Sequence, residues 1–93
     1  MSAEIEAHNT MTLGSHGAAL IGYVLSGSAR AGQTLWLPAF DKVVARRLVI
    51  SSVERLSSLE RSVPAVGLIF VNPPRMDDLT RGFPPGTVFT LED

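Results

Sequence analysis

Along residues 3–13, Ala3, Ile5, Ala7, Met11 and Leu13 fall on one face of an extended chain. Glu4, Glu6, His8, Thr10 and Thr12 fall on the other. Successive strand side chains point to opposite faces, so this alternation predicts a half-buried β-strand. Gly14-Ser15-His16-Gly17 then reads as a tight turn, because glycine admits the positive φ that hairpins require. Residues 18–25 form a second, aliphatic strand in which Gly22 predicts a bulge or a sharp bend. Residues 26–32 make the next turn. Residues 33–37 are a third strand, ended or held to a sheet edge by Pro38. A long β-branched strand follows at 43–53 and a fifth at 63–71, with Pro64 at its start and Asn72-Pro73-Pro74 closing it. Residues 75–81 predict one helical turn stopped by Gly82, and residues 86–91 a last strand.

Residues 52–62 admit two readings. Val53, Leu56 and Leu59 stand three apart, and Ser57 precedes Glu60 by three as in a capping box, which suits a helix. The succession of short strands divided by glycine and proline turns favours strand. The fold expected is all-β: a small antiparallel barrel of six or seven strands with one short helical turn, residues 1–93 forming a single domain.

Composition narrows the options. Ninety-three residues suffice for one core and are too few for two domains. The absence of cysteine excludes disulfides, thiolate metal sites and thiol nucleophiles, and a reducing cytoplasm is the simplest location. Glu4 and Glu6 stand where a secretory signal would be basic. The strongly apolar runs, 18–25 and 63–71, are shorter than the roughly 20 residues of a membrane helix, so no membrane segment is expected. A formal charge of -1 gives no overall basic excess, so any nucleic-acid contact must come from a local cluster.

Residues 27–34, GSARAGQT, have the spacing of a phosphate-binding loop, but Gln33 replaces the lysine and a strand follows where a helix is needed. That segment is read as a hairpin turn, with no nucleotide bound. His8 lies on a polar strand face and His16 in a turn, so the two imidazoles do not converge on a metal. Asp77 and Asp78 head a helical turn, where negative charge is favoured without any catalytic role. No serine sits in a nucleophile elbow. The chain is therefore expected to be no enzyme, with no catalytic residue, cofactor or metal ligand assigned.

The candidate binding residues are Lys42, Arg46, Arg47 and Arg55, a basic bias interrupted by Glu54. Arg46 and Arg47 face opposite sides of an extended strand, so only part of the cluster can share a surface. Solvated charges blunting a strand edge are the plain reading, with RNA or an acidic protein surface as the functional ones. Trp36 and Tyr23 are expected to pack in the core or wall a groove in preference to stacking on bases.

Residues 14–38, with Gly17, Gly22, Gly27, Arg30 and Gly32 in order, resemble the opening of the second, β-barrel domain of translational GTPases such as elongation factor Tu. Residues 50–54 resemble that family's "V-x-S-I-E" strand, Val66-Gly67-Leu68 its "V-G-L", and MDDLTRG at 76–82 its "x-E-D-I-x-R-G". The resemblance covers nearly the whole chain and implies a stand-alone barrel without the G domain. It departs where Gln33 replaces the usual acid, where residues 61–65 replace an Ala-Gly-Asp step, and where His16 and Tyr23 replace arginines. The resemblance implies a non-catalytic binding module that docks a protein partner or a second copy of itself. The alternative is an accessory domain contacting tRNA or ribosomal RNA.

Overall fold

A computed structural model of the chain describes residues 2–42, 44–56 and 63–93. Six strands pair antiparallel: β1 (Ala3–Thr12), β2 (Ala18–Ser26), β3 (Thr34–Leu37), β4 (Arg46–Leu56), β5 (Ala65–Phe70) and β6 (Val88–Leu91). One helix, α1 (Met76–Gly82), lies between β5 and β6. The sheet order is β3-β4-β5-β2-β1-β6. Its two ends meet in a single bridge: the Thr34 N–H donates to the Glu92 carbonyl at 2.7 Å, and the Glu92 N–H returns to the Thr34 carbonyl at 2.9 Å. The expected all-β barrel is therefore present, with six strands and nearly closed.

Three hairpins supply the local pairing, and two crossovers span the barrel's mouths. The connection from β2 to β3 crosses one mouth, and α1 crosses the other. Inside lie Ile5, Leu20, Leu35, Leu37, Leu48, Ile50, Leu68 and Leu91, joined at the second mouth by Leu79 and Phe83. β2 is buried on both faces from Ala18 to Tyr23, and β5 throughout, which is why each reads as an apolar run instead of an alternation.

Bulges set which side chains face inward. On β1 the register passes from Ala7↔Gly22 to Asn9↔Ile21, leaving His8 as the extra residue. Alternation holds up to Ala7 and then slips by one. Met11, expected on the buried face, is consequently 41% exposed, while Leu13 turns over the sheet towards Gly67. The bulge predicted by Gly22 thus exists, and its extra residue is on the partner strand. On β4 another bulge leaves Ser51 unpaired between Ile50↔Phe70 and Ser52↔Ile69.

For the ambiguous segment, residues 52–56 belong to β4 and are strand, while residues 57–62 lie outside the described residues. The helical spacing of Val53 and Leu56 is overridden by pairing with Leu68 and Ala65. The helix after residue 75 is Met76–Gly82, with Asp77 and Asp78 in its first turn as expected. Gly82 does not stop it by a left-handed cap, because it lies inside the helix and Phe83 follows as the cap. Its reason is space: a Cβ there would come within 2.5 Å of Leu37 Cδ1. No helix is long and apolar enough to cross a membrane among the described residues.

Candidate binding surface

The four cations singled out from sequence do not form one patch. Arg46 opens β4, and its Nη2 donates to the Asn72 carbonyl at 2.6 Å, tying β4 to the segment after β5. Arg47, the next residue, points to the outer face, where its guanidinium carbon lies 5.1 Å from the Trp36 ring centroid. The two are directly opposite in the β3–β4 register, which brings them together. Lys42 is exposed in the turn after β3, beside Asp41, whose carboxylate pairs with Arg81 of α1 at 3.4 Å.

Arg55 is separated from the others by the length of β4, about 30 Å of extended chain from Arg46. It is also on a different face. Unbroken alternation would align Arg55 with Arg47, but the bulge at Ser51 shifts the parity. Arg55 pairs with the buried Val66 and stands on the inward side, at the mouth spanned by the β2–β3 connection. Sequence periodicity could not show this, because nothing in the run Ser51-Ser52 marks which serine is extra.

The aromatic residues divide. Tyr23 is buried at 4% exposure with its ring 5.2 Å from that of His8, in keeping with packing. Trp36 departs from that expectation: it is 55% exposed on the outer face of β3. β3 alternates, so Leu35 and Leu37 take the interior and Trp36 is directed out. Beside it lies Val49, diagonal in the β3–β4 ladder, and then Val71, whose N–H donates to the Val49 carbonyl at 2.9 Å. Both valines are exposed, at 38% and 56%. The outer face thus carries an apolar strip, Trp36–Val49–Val71, with a guanidinium stacked on one end.

Gln33 is the buried polar residue of the described chain, and its role is local. Its side-chain carbonyl accepts the Arg30 N–H at 2.7 Å, and its amide donates to the Ser28 carbonyl at 3.0 Å and to Asp93 Oδ1 at 3.1 Å. It therefore fixes the β2–β3 connection and ties it to the end of the chain. The loop with phosphate-loop spacing runs into β3, a strand. Among the described residues no group of three or more His, Asp or Glu side chains is placed to hold a metal ion.

No protein-family model, curated protein sequence or solved structure matches this chain.

Proposed function

We propose that this chain is a non-catalytic binding module, akin to the second barrel of translational GTPases, that docks a protein partner or a second copy of itself. The strip Trp36–Val49–Val71 is its contact surface. The supporting observation is the placement of Trp36, a large aromatic exposed on the outer face of β3 while its neighbours Leu35 and Leu37 are buried. Tryptophan is enriched among the residues that dominate interface energetics, and contiguous exposed apolar residues mark contact sites. The cysteine-free composition suits a cytoplasmic location.

The test is native co-purification with a measurement of mass. The wild-type chain is expected to recover a specific protein or to run above monomer mass. Trp36→Ser, which changes only the outer face, is expected to weaken that association by about tenfold or more. A chain that is strictly monomeric and recovers no specific protein overturns the reading.

RNA binding is the second reading, and the Arg47–Trp36 pair favours it. An exposed indole beside a cation offers a stacking platform and a phosphate contact together. Titration with tRNA or ribosomal RNA at rising salt separates the readings. Binding that weakens with salt and with Arg47→Ala supports RNA, and no binding at low salt eliminates it.

A further inference from the structure

The two mouths of the barrel are finished differently. One is plugged by α1, where Leu79 and Phe83 join the core. At the other, the described inward-facing side chains are Val24, Val53, Val66 and Arg55, and the crossing loop supplies the small residues Gly27, Ser28 and Ala29. A partly open cavity of about 170 Å³ remains. Val24, Val53 and Val66 form its apolar floor, Ala29 and Ser28 its loop side, and Arg55 stands at its rim.

We propose that this mouth binds a small carboxylate carrying a compact, branched aliphatic group. The size suits a ligand of a few heavy atoms, and a lining that combines valines with the Ser28–Ala29 loop edge and Arg55 suits a molecule with both an apolar and a charged end. Three valines call for an alkyl group, which a bare inorganic anion lacks. Among the described lining residues Arg55 is the cation, and its planar fork matches one carboxylate in bidentate fashion.

Arg55 occupies a position where the interior pattern of β4 would otherwise place an apolar residue. Leu48, Ile50 and Val53 precede it on the inward side, and its ladder partner Val66 is buried. The loop wall is preorganised as well. The buried Gln33 holds the Ser28 carbonyl and the Arg30 N–H from below, so the site need not be assembled on binding. The competing role for Arg55 is to lay its stem over the valines and keep its charge in water.

The two roles separate in a nuclear magnetic resonance titration of the full chain with 3-methylbutanoate. Saturating amide shifts are expected, concentrated at Val24, Ala29, Val53 and Val66. Arg55→Met, which keeps the apolar stem, is expected to weaken binding by about tenfold, and 3-methylbutanol to bind wild type weaker by a similar factor. Ala29→Leu, which fills the mouth from the loop, is expected to abolish the shifts while the spectrum stays folded. N-acetylvaline distinguishes the source of the carboxylate. Binding as tight as 3-methylbutanoate assigns a peptide C-terminus, and weaker binding assigns a free acid. The proposal is overturned if no localised shifts appear at tens of millimolar, if Arg55→Met binds as wild type does, or if the alcohol binds equally well.

Discussion

Gly22 shows how one missing side chain fixes the packing of a strand pair. A Cβ at this position would lie 2.6 Å from Ile5 Cγ2 and 2.8 Å from the Glu6 carbonyl oxygen. The second neighbour is backbone, so no rotamer change relieves it. β1 comes this close because the bulge at His8 bends it over β2 opposite Gly22. Gly22→Ala is expected to destabilise the chain by about 1–3 kcal/mol, read from the midpoint of urea unfolding at unchanged slope. A neutral result would mean that the two strands can separate freely there. Gln33 carries the opposite lesson at the same scale: a residue that sequence marks only by what it is not becomes intelligible once its three hydrogen bonds are seen.

Among the elements, α1 is the one whose worth comes from position. Seven residues are too few for a stable isolated helix, so packing must hold it. It packs on β1 and β2, and Leu79, fully buried, anchors it inside the mouth. Leu79→Ala is expected to cost about 2–5 kcal/mol in denaturant unfolding, whereas Asp77→Ala on the exposed side should cost under about 1 kcal/mol. Equal losses from both would argue that dipole stabilisation, and not core filling, holds the element. β4 makes the complementary point. Its cations were legible in the sequence, but the one-residue bulge at Ser51 decided that Arg47 joins Trp36 outside while Arg55 faces the mouth.

For the molecule as a whole, closure rests on little. β3 and β6 are the shortest strands, and one bridge between Thr34 and Glu92 joins the sheet's ends. Thr34→Pro removes the N–H that donates to Glu92 and leaves the β3–β4 bonds of Leu35 and Leu37 in place. The expected loss is about 0.5–1.5 kcal/mol, accompanied by faster hydrogen exchange at the Glu92 amide and little change at the β2–β5 ladder. Uniform acceleration across all strands would instead mean that closure and the core unfold as one unit. The barrel also explains how one chain offers two distinct surfaces. Its outer wall bears Trp36 and the mouth opposite α1 bears Arg55, separated by the length of β4.

By itself the sequence determined that this is an all-β chain of short strands between glycine and proline turns, with a helical turn headed by Asp77 and Asp78. Those features follow from local periodicity and from backbone preferences that each residue carries with it. Tertiary structure alone decided where the strands slip, which of Arg46, Arg47 and Arg55 share a surface, that Trp36 stands outside, and that α1 plugs one mouth while Arg55 stands at the other. Each of these depends on register between segments distant in sequence, and a single bulged residue reverses inside and outside for everything beyond it.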